Sequence, residues 1–104
     1  MTYELVLNAL SDPTRRRIVG LIKAYPRNVG DLADRLPVSQ PAVSQHLKVL
    51  REAGLVRAER NGVSKTYYLE PEGFGPLRAY LDAFWGEALE AFRDSFKKTQ
   101  EETK

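Results

Sequence analysis

The segment Val29–Ala53, VGDLADRLPVSQPAVSQHLKVLREA, has the pattern of two short helices separated by a tight break. Apolar residues recur at the spacing of one helix face as far as Leu36, and Pro37 then prevents the helix from continuing. Ser39 can cap a second helix, and Pro41 falls within its first turn, where a backbone N–H has no intrahelical partner. The segment therefore predicts a helix-turn-helix, and the rest of the chain can be interpreted as its support.

The second helix of this pair has an apolar side and a polar side. At about 100° per residue, Val43, Leu47 and Leu50 fall together and should pack against the first helix. The polar side carries Gln and Ser near its N-terminus, which is where a recognition helix contacts bases in the major groove. Gln can pair with adenine, Ser can bind a base or a phosphate, and the surfaces of Pro41 and Ala42 can pack on a thymine methyl group. The alternative is an ordinary helical hairpin with a solvated polar side.

Beyond this segment the period of the sequence changes from that of a helix to that of a strand. The β-prone runs Leu55–Arg60 and Val63–Leu69 are joined by Asn61 and Gly62. We expect a hairpin with these two residues at the centre of a type I′ turn, because both positions need positive φ. A hairpin directly after a recognition helix is a wing, and its charged tip, with Lys65 close behind, can reach a phosphate or the minor groove. The alternative is an exposed hairpin with routine surface charges.

The composition limits the classes of protein that need to be considered. A length of 104 residues allows one small domain, and the 42% hydrophobic content supports a real core but not a large one. Cysteine is absent, which excludes disulfides, thiolate metal sites and thiol-based sensing. The sequence has no run of about 18 apolar residues, and its first residues lack the basic character of a signal peptide. We therefore expect a soluble, cytoplasmic protein.

Charge is distributed unevenly along the chain. Residues 12–23 contain four basic residues and one acidic residue, and residues 39–67 contain five basic and two acidic, so each segment has a net charge of +3. Residues 71–92 contain one basic and four acidic residues, a net charge of −3. Positive charge thus accompanies the segments that would face phosphates. This distribution supports DNA binding without deciding it, because charge clusters are often solvated surface.

The segments at the start of the chain predict two further helices. Thr2–Leu10 has the spacing of a short amphipathic helix. Asp12 followed by Pro13 begins a second helix that lasts to about Tyr25. Three consecutive arginines, Arg15–Arg17, fan over about 200° of its surface, so they cannot all point one way. We expect at least one to contact a phosphate and another to pair with an acidic neighbour, and solvation is the alternative for each.

A long last helix is predicted from about Pro76 to Lys98, followed by a frayed tail over residues 99–104. Its apolar residues form a stripe too wide and too aromatic for one small domain to cover. Part of it can pack on the first helix, and a second copy of the chain across a two-fold axis would cover the remainder. An aromatic ligand pocket near Trp85 is the alternative. The predicted dimer contacts are Tyr3, Val6, Leu10, Leu81, Phe84, Trp85, Ala88, Leu89 and Phe92.

Three stretches of this chain resemble the ArsR-type winged helix-turn-helix repressors of bacteria. They are ALSDPTRRRIVGLI from Ala9, VGDLADRL with SQPAVSQHLKVLREAGLV from Val29, and RNGVSKTYYL from Arg60, together about half of the sequence. The resemblance implies a mainly α fold with a small β-hairpin, formed by a single winged helix-turn-helix domain over residues 1–98. It also implies a homodimer built from the first and last helices, with the Gln40 helix in the major groove of double-stranded DNA.

The candidate DNA contacts come from the chemistry of the side chains and from this resemblance. By resemblance, Ser39, Gln40, Ser44 and Gln45 look like base or groove contacts. Arg60 and Lys65 look like the DNA contacts of the wing. His46 is interpreted as partly buried support or a phosphate contact, with base readout the least favoured role. The full set of candidate DNA-binding residues is Arg16, Ser39, Gln40, Pro41, Ser44, Gln45, His46, Lys48, Arg60, Asn61 and Lys65.

The chain departs from the metal-sensing members of that family. They carry a cysteine pair before the turn or histidine on the last helix, whereas this chain has no cysteine and its single histidine is His46. We expect no metal and no cofactor, and the aromatic last helix is similar to that of the metal-independent repressors, some of which control their own operon. Two alternatives stay open: a repressor with an effector site near Phe84 and Trp85, and a winged-helix module that binds a protein. An enzyme is not expected, because no nucleophile and base pair is visible.

Overall fold

A computed structural model describes residues 2–102, with side chains described as far as residue 95. It contains five α-helices and one antiparallel hairpin, and it confirms the predicted winged helix-turn-helix. The elements are α1 (Tyr3–Leu10), α2 (Pro13–Ala24), α3 (Val29–Arg35), α4 (Gln40–Glu52), β1 (Val56–Asn61), β2 (Ser64–Leu69), a 3-10 turn (Pro71–Phe74) and α5 (Gly75–Glu102).

Side-chain caps define where three of the helices begin. The carboxylate of Asp12 accepts hydrogen bonds from the backbone N–H groups of Thr14 and Arg15 at the start of α2. Asn28 accepts from the N–H of Asp31 at the start of α3. Ser39 accepts from the N–H of Ala42 at the start of α4, as its sequence position predicts. Each cap satisfies a backbone donor that the helix itself leaves unpaired.

The core lies where α4 packs against α1, α2, α3 and the base of the hairpin. Val43, Leu47 and Leu50 of α4 are at most 1% exposed, which confirms the predicted apolar side of this helix. Ile18 of α2 and Leu32 of α3 are fully buried beside them. Because this side of α4 is covered within the chain, its opposite side is the one left for a partner.

Two glycines fix the junction between α4 and the 3-10 turn. Gly54 has φ of +78° and follows the helix, and the bonds from the N–H of Leu55 to Leu50 and from the N–H of Gly54 to Arg51 form a Schellman motif. A Cβ on Gly73 would lie only 1.8 Å from the carbonyl oxygen of Gly54. The backbones can approach this closely only because residue 73 has no side chain.

The hairpin forms where it is predicted, but its turn is displaced by one residue. Asn61 pairs with Ser64, so the two central residues are Gly62 and Val63 and not the predicted Asn61 and Gly62. Only Gly62 has positive φ, at +65°, which is the pattern of a type II′ turn with glycine first. The Asn61 amide donates to the Thr66 hydroxyl at 2.9 Å. Asn61 therefore belongs to the strand, and the predicted type I′ turn is wrong.

A backbone bridge attaches the wing to the helix-turn-helix. Arg27 and Tyr67 exchange two backbone hydrogen bonds, from Tyr67 N–H to Arg27 C=O at 2.8 Å and in the reverse direction at 3.2 Å. The Tyr67 side chain is 8% exposed. The Arg27 guanidinium donates to the carbonyl of Leu21 and forms an ion pair with Asp31. This bridge sets the position of the wing relative to the start of α3.

Helix α5 leaves the body of the protein soon after it begins. Leu77 packs against the core, and Tyr80 stacks on Tyr3 of α1 with ring centroids 4.1 Å apart. The protein is 72 Å long and 26 Å and 20 Å across, so much of this helix projects away from the remaining elements. Its apolar side chains between residues 81 and 92 are exposed, with Phe84 at 55% and Trp85 at 64%.

Two predictions about the ends of the chain are corrected. Val6, predicted at the dimer interface, is fully buried in the core, whereas Leu5 and Leu7 on the same helix are nearly half exposed. The structure continues α5 to Glu102, beyond the predicted end at Lys98, because no proline or glycine interrupts residues 87–102. The last two residues of the predicted tail, 103 and 104, lie outside the described residues.

Candidate nucleic-acid interface

The side of α4 that faces away from the core is polar and exposed. It begins at Ser39, whose hydroxyl is engaged as the helix cap. Across the rest of the helix the predicted contact residues Gln40, Pro41, Ser44, Gln45 and Lys48 are all exposed. A Cβ on Gly30 would lie 3.8 Å from the amide nitrogen of Gln40, so this side chain extends towards the start of α3. Two amides, a hydroxyl and an ammonium group are thus available on one helix face.

An open groove of about 580 Å³ separates this helix from the wing. We call it the wing groove. It brings together residues that are far apart in the sequence, from the start of α3, the exposed side of α4 and both strands. Its lining consists of Asn28, Val29, Gly30, Ser44, Arg60, Val63, Ser64, Lys65 and Tyr67. Three of the predicted contact residues, Ser44, Arg60 and Lys65, therefore face one concave surface.

The alternation of the hairpin explains why its cations face this groove. Along one face of the paired strands, Val56 lies opposite Leu69, Ala58 opposite Tyr67, and Arg60 opposite Lys65. The first two pairs are buried or partly buried, whereas the last pair is exposed at the tip. This face of the wing is therefore apolar at its base and carries two positive charges at its tip.

The predicted wing contact Asn61 has a different environment. It shares a face with Thr66, to which its amide is hydrogen bonded, and this is the face opposite Arg60 and Lys65. The structure therefore separates Asn61 from the two wing cations. Its bond to Thr66 links the two strands next to the turn.

The three consecutive arginines of α2 differ in their contacts. Arg15 donates to the carbonyls of Ala9 and Asn8 at the end of α1, at 2.6 and 3.0 Å. Arg16 donates to the carbonyl of Leu10 at 2.7 Å. Two of the three guanidinium groups therefore cap α1, since carbonyls at a helix C-terminus lack intrahelical partners. Arg17 is exposed and makes no such bond among the described residues.

His46 is part of the support and not of the exposed face. Its ring is partly buried, with Nδ1 3.5 Å from Nη1 of Arg15, so α4 meets the arginine that caps α1 at this point. Its partial burial agrees with the position expected for it, and a phosphate contact stays a prediction. Across the described residues, no group of three or more His, Cys, Asp or Glu side chains is placed to hold a metal ion.

Hydrogen bonds from backbone N–H groups lower the pKa of one carboxyl group, and hydrogen bonds from arginine side chains lower the pKa of another. The N–H groups of Arg15 and Thr14 stabilise the charged form of Asp12 and hold its pKa below the ordinary value. The hydrogen bond from Arg27 has the same effect on the pKa of Asp31, and Arg35 adds to it. Asp12 caps α2, and Asp31 lies in the first turn of α3, the helix whose start lines the groove.

Sequence reasoning did not identify Asn28, Gly30 or Ser64 as residues of this surface. Asn28 caps α3, Gly30 belongs to its first turn, and Ser64 follows the turn of the wing. No local pattern shows that the first turn of α3 meets the wing, because the Arg27–Tyr67 bridge joins segments 40 residues apart. The cap position of Asn28 was the one available signal.

Comparison with known proteins assigns the chain to a family. The family model described as "Bacterial regulatory protein, arsR family" matches residues 12–58. The HTH-type transcriptional regulator Rv2034 of Mycobacterium tuberculosis is 51% identical over 84 residues, which are 81% of this chain and 78% of that protein. The chain belongs to the ArsR family. The transcriptional repressor SdpR of Bacillus subtilis is 40% identical over 57 residues, 55% of this chain and 63% of that repressor.

Solved structures of ArsR-family proteins share the fold. The ArsR-like transcriptional regulator from Rhodococcus sp. RHA1 superposes with a TM-score of 0.75 at 30% identity, covering 91% of this chain and 90% of that one. A possible transcriptional regulator for arsenical resistance superposes with a TM-score of 0.70 at 46% identity, covering 76% and 82%. This ArsR-family protein is a DNA-binding transcriptional regulator with a winged helix-turn-helix. None of its described helices has the length and apolar character needed to cross a membrane.

Proposed function

We propose that this ArsR-family regulator is a homodimeric repressor that binds an inverted-repeat operator in double-stranded DNA, and that its own operon is among its targets. It acts in the cytoplasm by occupying DNA, not by catalysis. The observation that carries the proposal is the placement of two unlike surfaces on one chain. The polar side of α4 and the wing groove face one partner, and the apolar side of α5 faces another.

Exposed apolar area on α5 supports the homodimer. Leu81, Leu89 and Phe92 are 49%, 52% and 71% exposed, along one side of a helix that projects from the body. Monomeric proteins rarely expose so large a continuous apolar stripe. A second copy related by a two-fold axis would bury the stripe against the same stripe, with Leu5 and Leu7 of α1 nearby.

The dimer gives the operator its symmetry. Two recognition helices related by a two-fold axis read two half-sites in opposite directions, with centres roughly 34–36 Å apart along the DNA. Gln40 and Gln45 are the side chains suited to adenine, so the half-sites should include A·T pairs. Repression follows if the occupied operator overlaps the site of RNA polymerase.

The experiment that tests this function is a fluorescence-anisotropy titration of labelled duplexes. One duplex carries the intergenic DNA upstream of the gene, and the other a scrambled sequence of the same composition. We expect tighter, salt-sensitive binding to the native duplex, with two chains bound to each operator by light scattering. Equal affinity for both duplexes at every salt concentration would contradict autoregulation, and one chain for each duplex would contradict the dimer.

A further inference from the structure

The Arg15 side chain connects helix α4 to the end of α1. Its Nε and Nη2 donate to the carbonyls of Ala9 and Asn8 at 2.6 and 3.0 Å. Its Nη1 lies 3.5 Å from Nδ1 of His46 on α4, at the long end of hydrogen-bond distance. Both side chains are half-buried. Because a guanidinium can only donate, Nδ1 must be the acceptor, and an imidazole accepts at this nitrogen only while it is neutral.

The same connection extends to the surface proposed for dimerisation. Tyr3 of α1 stacks on Tyr80 of α5 at 4.1 Å between ring centroids, and α1 also exposes Leu5 and Leu7. Since α1 and α5 carry the proposed interface, a contact between Arg15 and α4 holds the recognition helix relative to the two-fold axis. That relation sets the distance between the two recognition helices along the DNA.

His46 is the side chain through which pH can act on this contact. The sequence contains one histidine and no cysteine. Histidine is the side chain type that normally changes its charge between pH 5 and pH 8. An imidazolium has no lone pair to accept a hydrogen bond, and the guanidinium beside it is charged at every pH. Protonation therefore replaces a hydrogen bond with repulsion between two like charges.

The charged groups around His46 on the packed helices are Arg15 and Asp12, both from α2. The N–H groups of Arg15 and Thr14 hold the pKa of Asp12 below its ordinary value, so this carboxylate stays charged over the same range. It attracts an imidazolium, but its hydrogen bonds lie within α2 and cannot replace a connection to α1. Among the described side chains, none from α1, α3 or the hairpin forms an ion pair or hydrogen bond with His46. The residues one turn away on α4 do not titrate: Ala42, Val43, Val49 and Leu50.

We propose that Arg15 positions the recognition helix for its operator by linking His46 to the end of α1, and that protonation of His46 releases this link and weakens operator preference. The proposal rests on the proposed function, because the operator preference of a dimer is the quantity that changes. Arg15 and His46 are positioning residues that act without touching DNA. A phosphate contact by His46 has the opposite sign, since an imidazolium would strengthen binding to every duplex.

The test is an anisotropy titration of the full chain against the native and scrambled duplexes, between about pH 5.5 and pH 7.5 at constant ionic strength. The readout is the ratio of the two affinities. For the wild type we expect this ratio to fall about fivefold towards acid pH, the effect of one lost hydrogen bond. A ratio that does not fall would overturn the proposal. Stronger binding to both duplexes at acid pH, absent in His46→Gln, would assign a phosphate contact and overturn it as well.

Three variants assign the effect to the link. His46→Gln cannot gain a charge, so its ratio should not change with pH. Arg15→Gln should have a low ratio already at about pH 7.5 and show no further fall. Arg16→Gln is the matched control, because Arg16 donates to the carbonyl of Leu10 at the same end of α1 and has no hydrogen bond to His46 among the described residues. Whatever its affinity, the control should keep the pH dependence of the wild type. An Arg15→Gln variant with that same pH dependence would overturn the role of Arg15.

A purely structural role of Arg15 gives a different result. Both arginine variants lose a cap on α1 and should have lower melting temperatures, but only the loss of Arg15 should change the pH dependence. If Arg15→Gln does not fold, Arg15→Lys takes its place, since a lysine can donate to one carbonyl of α1 but lacks the fork that also reaches His46. It should show the same low ratio at about pH 7.5, and a wild-type ratio there would overturn the link.

Failure of the proposed function would be visible separately. Equal affinity of the wild type for the native and scrambled duplexes at about pH 7.5 would contradict autoregulation. The pH series is then carried out on the tightest duplex selected from a random pool, with the same scrambled control. A ratio that falls towards acid pH in the wild type but not in His46→Gln supports the link on that duplex, and a constant ratio overturns it.

Discussion

Helices α4 and α5 are both amphipathic, but they leave opposite sides uncovered. Val43, Leu47 and Leu50 of α4 are at most 1% exposed, whereas Phe84 and Trp85 of α5 are more than half exposed. A helix whose apolar side is buried within its own chain presents its polar side to a partner. A helix whose apolar side is uncovered presents that side instead. We therefore propose that the two helices bind partners of opposite chemistry, DNA for α4 and a protein surface for α5.

The largest expected effect comes from removing the packing of α4. Leu47→Ala should lower the free energy of unfolding by roughly 2–5 kcal/mol, because Leu47 is 1% exposed and the truncation leaves a cavity. Urea denaturation monitored by circular dichroism measures this change. Lys48→Ala, at the adjacent exposed position, is the control and should stay within about 0.5 kcal/mol of the wild type. Similar losses for the two variants would contradict the buried side of α4.

A charge on the apolar side of α5 should separate the dimer and leave each domain folded. Phe84→Lys places an ammonium group in the proposed interface, where burying it without a partner is unfavourable. Light scattering should give the mass of a monomer, and the melting temperature should no longer rise with protein concentration. Glu90→Lys, an exposed position on the side of α5 away from the apolar stripe, is the control and should remain dimeric. A dimeric Phe84→Lys variant would place the interface elsewhere.

Changing the polar side of α4 should affect DNA recognition without affecting stability. Gln40→Ala should cost roughly 1–3 kcal/mol on the operator and reduce discrimination at one base pair, because a bidentate contact to adenine is lost. Anisotropy on the operator and on variants with single base-pair changes measures both effects. Lys65→Gln should weaken all duplexes alike. Equal losses on operator and scrambled DNA for Gln40→Ala would contradict its role in base readout.

The smallest expected effect is acid sensitivity at the start of α2, which packs on α4. Because the pKa of Asp12 is lowered in the folded protein, its carboxylate stabilises the fold above the ordinary pKa near 3.8 and loses this effect as pH falls below it. Melting temperatures between pH 7 and pH 3 should therefore fall less steeply in Asp12→Asn, most clearly below about pH 4. Asp34→Asn, at an exposed position that caps no helix, is the control. An unchanged acid dependence in Asp12→Asn would contradict the lowered pKa.

Local sequence patterns predicted most of the α4 region correctly. Pro37, Ser39 and Pro41 act through backbone rules that hold in any fold, so the break between α3 and α4 and the start of α4 could be located from the sequence. The spacing of Val43 and Leu47 identified the buried side for the same reason. The placement of candidate DNA contacts on the opposite side follows from helix geometry alone.

Predictions that depended on contacts between distant segments were less accurate. The spacing of Val6 fits an interface and a core equally well, and its burial within the chain decides between them. The run Arg15–Arg17 predicts at least one phosphate contact, which stays a prediction, but it does not show that two of these side chains bind carbonyls of α1. The turn of the wing shifted by one residue because the pairing of Asn61 with Ser64 places glycine first in the turn.

By itself, the sequence determined the helices, the break before α4, the wing and the family, because caps, prolines and apolar spacing act over a few residues. The tertiary structure alone decided which charges remain unpaired and what surrounds them. Arg57 and Arg60 lie three residues apart in β1. Arg57 forms an ion pair with Glu70, whereas Arg60 lines the wing groove. Ion pairing depends on distances across the fold, and local sequence does not specify those distances.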